Sequence, residues 1–464
     1  MKKLFTVIVR QYNRTLQNQK KKCMSTTAYV PPYSVDVKPD EQPVHKFSGR
    51  KSRQNRLHVC GFSLTGALGV LELPMPEHVR GKMTRVESQT KPYLLYLEKI
   101  SYADCGYGFS LFATSRKKGT RVFGCGVNTD SQVGFHKSRI FKPKPGEQSN
   151  PSLAYVMTPG PIPLPMKQPG LTKVLEVACG RAHALILTDN EGIFCLGNNS
   201  FGQCGRDIID GEIYINSKRV HIIPHSHFDD RIVKIVCGMD HSLFLSESGE
   251  VYSCGWGADG QTGLGTYEKT STPTKVGGIL AGVKIKKVSS FADTTLAVSD
   301  EGQVFAWGST EYRQLASVSD STQVIEPVLL PFQECGKIID AACGGSACMI
   351  LNENGEVFVW GYGILGKGPE LESTSWPSQI PMTLFGQTNF NPDIKVTQIA
   401  CGLSHFAAIN SSGELFTWGK NKHGCLGLGN SKDHFFPWKV FVGSEVINVK
   451  CGVDHTIIMS KTLV

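Results

Sequence analysis

Cysteine and histidine recur together at one spacing in this chain. "CGRAH" (Cys179 to His183), "CGMDH" (Cys237 to His241), "CGLSH" (Cys401 to His405) and "CGVDH" (Cys451 to His455) each place an imidazole four residues beyond a thiol. Thiolate and imidazole are zinc ligands, so the first chemistry to test is a metal or redox site. Two facts weigh against it. The fifteen cysteines are odd in number and contain no C-x-x-C pair, so neither a complete disulfide framework nor the usual zinc spacing is indicated. A small, readily buried thiol repeated at equivalent positions reads instead as packing.

A second cluster, "HIIPHSHFDD", offers His221, His225, His227, Asp229 and Asp230 around Pro224, but without recognised ligand spacing. No nucleophile elbow, Walker loop or paired-carboxylate arrangement stands out. The chain is read as having no bond-making chemistry, no metal and no cofactor. A third cluster is cationic: Lys137, Arg139, Lys142 and Lys144 alternate with Phe135 and Phe141 in "FHKSRIFKPK". Basic groups beside aromatic rings suit phosphate contact with base stacking, and equally a solvated, proline-stiffened connection.

The elements that carry these residues are copies of one unit. Aligned on the Cys-Gly start, the copies begin at Cys105, Cys179, Cys237, Ser289, Cys343, Cys401 and Cys451. Repeats of about 50 residues signal a propeller, solenoid or array. Within each unit an apolar run such as "HALIL" or "HSLFL" leads through a polar turn to a second run, "GIFCLG", "EVYSCG", "QVFAWG", "EVFVWG" or "ELFTWG". Turn glycines Gly192, Gly249, Gly302, Gly355 and Gly413 supply the hairpin. Cys60, Cys125 and Cys254 stand where other copies have Trp307, Trp360 and Trp418.

There are seven starts and seven ends, at Gly61, Gly126, Gly197, Gly255, Gly308, Gly361 and Gly419. The first end has no start before it, and the last start has no end after it. A closed ring accounts for both, because it leaves no sheet edge exposed where the chain begins and stops. The expectation is an all-β, seven-bladed β-propeller over residues 55–464, closed by an N-terminal strand that completes the last blade. The insert at 71–100 is expected to dock an apolar patch on the ring.

Charge separates the N-terminus from the rest. Residues 1–35 hold seven cations and no acid, so the net +9 falls to +2 beyond them. This stretch fits a mitochondrial transit peptide; a disordered tail, or a nuclear signal at Lys20-Lys21-Lys22, are the other readings. Residues 36–54, with Pro39 and Pro43, read as a linker. No apolar run is long enough for a membrane helix, so any membrane association would be peripheral.

The repeated pattern, a Cys-Gly start with a histidine four residues on and a Trp-Gly end, resembles the regulator of chromosome condensation repeat family over Arg56 to Val464. No Trp-Asp dipeptide occurs, against the WD signature. With its basic leader, the chain is most similar to the family's mitochondrial, guanine-exchange-factor-like branch. The resemblance implies exchange on a dynamin-like fusion GTPase of the inner membrane, and a mitochondrial location, in the matrix or against that membrane. As the alternative it implies assembly of the mitochondrial ribosome, with large-subunit ribosomal RNA and its pseudouridine-synthase module as partners.

The founding member presses one face of its ring into the small GTPase Ran, using residues at or just before the repeated histidine. Carried over, these are Asp240, Asp454 and His405. Arg181-Ala182, Tyr107-Gly108-Phe109, Asp293 and Ala347 depart from the pattern, which weighs against Ran itself. The residues alone allow a second role: a histidine at one repeat position suits a blade-internal hydrogen bond, and short acids also end strands.

Overall fold

The computed structural model describes residues 55–71, 86–116, 119–137 and 152–461. The expected leader and linker, and Arg139, Lys142 and Lys144, lie outside the described residues. Seven four-stranded antiparallel sheets follow one another, one per repeat. Blades 1 to 6 take their strands in sequence order from residues 100–161, 174–223, 232–275, 285–329, 338–380 and 396–440. Among the described residues no helix is long and apolar enough to cross a membrane.

Blade 7 is built from both ends of the chain, as the split repeat requires. Its inner strands are Val446–Cys451 and His455–Ser460, and Arg56–Phe62 pairs with the latter from Arg56↔Ser460 to Gly61↔His455. The structure adds a second N-terminal strand: Ser88–Leu95 forms the outer edge against Arg56–Phe62. Part of the insert at 71–100 is therefore a blade strand and not a docked appendage.

Outer strands end the hydrogen-bonded ladder, and six of the seven carry a proline: Pro92, Pro159, Pro273, Pro327, Pro377 and Pro437. Proline donates no N–H, so an edge strand tolerates it and is blunted by it. In each of these blades the pairing register shifts beside the proline.

The second strand of every blade is buried along its whole length, as it is covered on both faces by neighbouring blades. The inner strands line a narrow central channel whose charges cancel pairwise between blades. Lys234 Nζ lies 2.9 Å from Glu176 Oε1, Lys287 Nζ 2.5 Å from Asp340 Oδ1, and Lys450 Nζ 3.5 Å from Asp104 Oδ1. The start cysteines end the inner strands. All fourteen cysteines among the described residues are buried free thiols.

One repeat start is corrected. The inner strand of blade 4 is Ile285–Ser290, and its last residue, Ser290, is the counterpart of Cys237, which ends Ile232–Cys237. The start is therefore Ser290, one residue later than Ser289. The shift makes Thr294 the counterpart of His241 and Asp293 that of Asp240.

Candidate functional site

The loops joining the first and second strands of all blades open on one face of the ring, the start-loop face. At its rim each histidine turns inward. His183 Nε2 lies 3.0 Å from Ser242 Oγ, His405 Nε2 2.9 Å from Thr456 Oγ1, and His455 Nε2 2.9 Å from Ser110 Oγ. Those hydroxyls donate in turn to carbonyls of Gln203, Cys425 and Ala67. A hydroxyl that donates to a carbonyl accepts from the imidazole, so Nε2 carries the proton. Each clip runs from one blade to the second strand of the next and back to a loop of the first. The histidine bond expected within a blade therefore joins two blades.

Burial drives the pKa of His183 and His241 down to about 3 and that of His405 to about 4, so these rings are neutral at physiological pH. The glycine after each start residue is part of the clip. A Cβ on Gly180 or Gly238 would overlap the following imidazole, and on Gly452 it would come 2.8 Å from His455 Cε1. Cys-Gly-x-x-His is thus a packing unit: the ring lies on the bare glycine Cα.

The alternation of cysteine and tryptophan has the same origin. Cys254, Cys60 and Cys125 pair across the sheet with the clip residues Ser242, Thr456 and Ser110. Trp307 pairs with Thr295 and Trp360 with Cys348, and their indole N–H groups reach the loop carbonyls of Gln261 at 3.1 Å and Gln314 at 2.7 Å. The same loop carbonyl is satisfied by a hydroxyl at one joint and by an indole at another.

The residue before the histidine points the other way, to the face. Three blades place an acid there: Asp240, Asp293 and Asp454. Asp240 is held by Arg181 of the preceding blade, with Nε to Oδ1 at 3.1 Å and Nη2 to Oδ2 at 2.5 Å; the Arg181 side chain remains 48 % exposed. Burial raises the Asp240 carboxyl pKa while Arg181 opposes the rise. Asp293 is pushed up to about 6 by burial and by the charge of Asp259, although Gln261 Nε2 donates to its Oδ1 at 3.1 Å. Tyr107, whose ring stacks 5.4 Å from Phe291, reaches toward Asp293 and Asp240 across the channel mouth.

The structure therefore links Arg181, Asp240, Asp293 and Tyr107 around the mouth. Asp454 is half-buried with Oδ1 3.3 Å from His455 Nδ1, and His405 lies close enough to feel its charge. His405 itself is 1 % exposed and is spent on its clip. The sequence pattern sets Asp293 apart as a departure; the corrected start restores it to the acidic set.

The remaining clusters are separate from this face. Lys137 is exposed; within the propeller, Lys218 Nζ sits 4.7 Å from the centre of the Phe135 ring. His225 Nε2 and His227 Nε2 turn to different carbonyls, of Thr188 at 3.1 Å and Pro273 at 3.2 Å. Among the described residues no group of three or more His, Cys, Asp or Glu side chains could hold a metal ion.

Comparison with known proteins agrees with this architecture. The RCC1-like domain model matches residues 49–383, and regulator of chromosome condensation (RCC1) repeat models match residues 396–425 and 412–459. The chain is 53% identical to the "RCC1-like G exchanging factor-like protein" of Mus musculus over 428 residues, and 53% identical to that of Homo sapiens over 430, covering 91% of each chain in both pairs. It is similar to the crystal structure of human WBSCR16, with a TM-score of 0.81 and 52% identity over 89% of this chain and all of that one. Prp20p of Saccharomyces cerevisiae, at 21% identity, shares the fold with a TM-score of 0.69 over 89% of this chain and 93% of its own. The chain belongs to the RCC1 repeat family, and to its guanine-exchange-factor-like members.

Proposed function

We propose that this protein is a guanine-nucleotide exchange factor for a dynamin-like GTPase of mitochondria, docking it on the start-loop face. Exchange requires no bond-making group. It requires a surface that binds the nucleotide-free GTPase more tightly than the loaded one. The observation that carries the reading is the division of labour at the rim: the histidines turn inward as clips, His183, His241 and His405 as neutral rings, while Arg181, Asp293 and Asp454 remain at the surface around the channel mouth. The relatives named as exchanging-factor-like support it, as does Prp20p, a propeller of the same fold that binds Gsp1p.

Residence in mitochondria is part of the same proposal, supported by the acid-free basic leader at 1–35. The test is release of a fluorescent guanine nucleotide from a purified mitochondrial dynamin-like GTPase. The protein should accelerate release, and Asp240→Asn with Asp454→Asn should remove about tenfold of that acceleration. No acceleration by the unaltered protein would refute the reading.

A second reading, association with mitochondrial ribosomal RNA, draws on the cationic sequence around Lys137, which is exposed, and on the cation–ring contact of Lys218 with Phe135. Neutralising Lys137, Arg139, Lys142 and Lys144 should lower the dependence of RNA affinity on log salt by about 0.7 per lost phosphate contact. An unchanged slope would remove this reading.

A further inference from the structure

A girdle of backbone hydrogen bonds runs around the start-loop mouth of the channel. Val453 N–H donates to Gly106 O at 3.3 Å, Tyr107 to Gly180 at 3.3 Å, Arg181 to Met239 at 3.0 Å and Met239 to Ala292 at 3.1 Å. It resumes from Gly345 to Leu403 at 2.9 Å and from Leu403 to Gly452 at 3.2 Å. Six joints are stitched in this way. Among the described residues no such bond crosses from blade 4 to blade 5, and the N–H of Ala292 makes no backbone bond there.

The gap falls where the sequence departs most from the packing unit. Blade 4 has lost both halves of the packing unit, with Phe291 in place of the glycine and Thr294 in place of the histidine; blade 5 has Ala347 at the histidine position. The Phe291 ring lies against Tyr107, and neither Thr294 nor Ala347 can form the imidazole clip.

What opens beside the gap is a cavity of about 480 Å³. Leu403, Ile364 and Phe406 contribute apolar walls, and Asp293 and Glu311 contribute carboxylates. At its rim Tyr312 and Tyr362 stack with ring centres 6.1 Å apart, and both are more than two-fifths exposed. The cations nearby are committed: Lys420, which also lines the cavity, lies 3.2 Å from Asp433, and Arg181 holds Asp240. Asp293 makes no salt bridge with either: it accepts from Gln261 Nε2 at 3.1 Å and feels Arg181 least among its neighbours, while Asp259 and Asp240 add to the negative field around it. A volume in this range suits a short loop and not a single water-filled crevice.

We propose that this cavity receives an arginine or lysine carried on an extended loop of the protein partner. The aliphatic stem would lie on Leu403 and Ile364 beside the stacked tyrosine pair, and the cation would meet Asp293 and Glu311. The Ala292 N–H, unpaired within the girdle, is placed to bond the loop's backbone. The inference rests on reading the start-loop face as the partner-binding face and adds which joint holds the partner and what chemistry it selects.

The test is saturation-transfer NMR on the full-length protein with a capped Gly-Arg-Gly peptide, and with the same peptide bearing neutral citrulline. Transfer to the arginine methylenes is expected. Binding should weaken about tenfold or more with citrulline, and likewise with Asp293→Asn or Tyr362→Ala. Glu98→Gln, in an exposed pair with Arg116, should leave it unchanged. Equal binding of citrulline, indifference to both cavity variants, or no transfer at about 10 mM peptide would overturn the proposal. Nucleotide release is read separately: peptide binding lost while release persists sinks the cavity alone, and peptide binding without any release sinks the exchange reading.

Discussion

Replacing Gly238 with alanine isolates the packing unit of the blades. The backbone at Gly238 lies outside the left-handed region, so alanine meets no conformational penalty there. The added Cβ would overlap the imidazole of His241, a ring with no exposed surface whose Nε2 lies 3.2 Å from Ser290 Oγ. Overpacking a dense interior costs about 1–3 kcal/mol. Breaking the His241–Ser290 bond adds roughly 1 kcal/mol, and more if a buried polar atom is left without a partner. The single variant should therefore lose about 2–4 kcal/mol.

A sharper expectation concerns the pair. With His241→Thr the ring is gone, as it already is in blade 4, and with it go the three atoms nearest to an added Cβ at 238. A double-mutant cycle in urea, followed by far-ultraviolet circular dichroism and tryptophan fluorescence, should show Gly238→Ala nearly free of cost in the His241→Thr background. The coupling would approach the whole cost of the single change, well beyond the roughly 0.5 kcal/mol within which independent sites add. A Gly238→Ala protein within about 0.5 kcal/mol of the unaltered one, or an additive cycle, would refute the account of Cys-Gly-x-x-His as a steric couple.

Other expectations follow from the same structure. His183 and His241 titrate near 3 and His405 near 4 when folded, below the usual histidine value, so the unfolded chain binds more protons as pH falls. The stability these rings contribute is fully present above about pH 6.5 and is lost toward pH 4, at about 1.4 kcal/mol per pH unit for each ring; an acid titration of the urea midpoint measures it. Asp293 has the opposite sign: its carboxyl is raised to about 6 among Asp259, Asp240, Gln261 and Arg181, with Glu311 and Lys420 on the same cavity. Its ionised form is thus disfavoured in the fold, and Asp293→Asn should stabilise the protein most at pH 7.5, roughly half as much at pH 5 and not at all below about pH 3.8, compared by thermal midpoint. Trp360→Ala removes a side chain with no exposed surface and the indole bond to Gln314, and should cost about 3–5 kcal/mol in the same denaturation assay. All fourteen described thiols are buried, so alkylation counted by mass spectrometry should modify at most Cys23 before denaturation and the rest only after it.

The parts of the ring legible in the sequence were those written in residues that only one environment tolerates. A glycine under an imidazole and a cysteine at the end of an inner strand recur because the packing repeats, and the half-repeats at each end dictated closure. Blade 4 is misaligned by one residue in the sequence pattern because both anchors, glycine and histidine, are missing there; Asp293 is then separated from Asp240 and Asp454. The strand Ser88–Leu95 reads as an appendage because Pro92 interrupts its pattern, yet a proline in the outer strand of six blades is a usable signal. Periodicity places the histidines at one position but carries no information on which neighbour they bond. That direction depends on the serine or threonine of the next blade, some fifty residues away in the chain.

Adjacent residues in the same loop serve two separable ends. The histidine faces inward and its bond is made to the next blade, so its replacement is felt as a loss of packing. The residue before it faces the mouth, and it varies among Gly108, Ala182, Asp240, Asp293, Ser346, Ser404 and Asp454 without changing the strand that follows. A ring built this way can alter the charge of its face blade by blade while the clips hold. Blade 4 is the instructive exception: it lacks both glycine and histidine, no girdle bond reaches blade 5 among the described residues, and a cavity lined by the Asp293 carboxylate lies at that joint. Where the scaffold rule lapses and the surface acids remain, the recognition role proposed above would account for both.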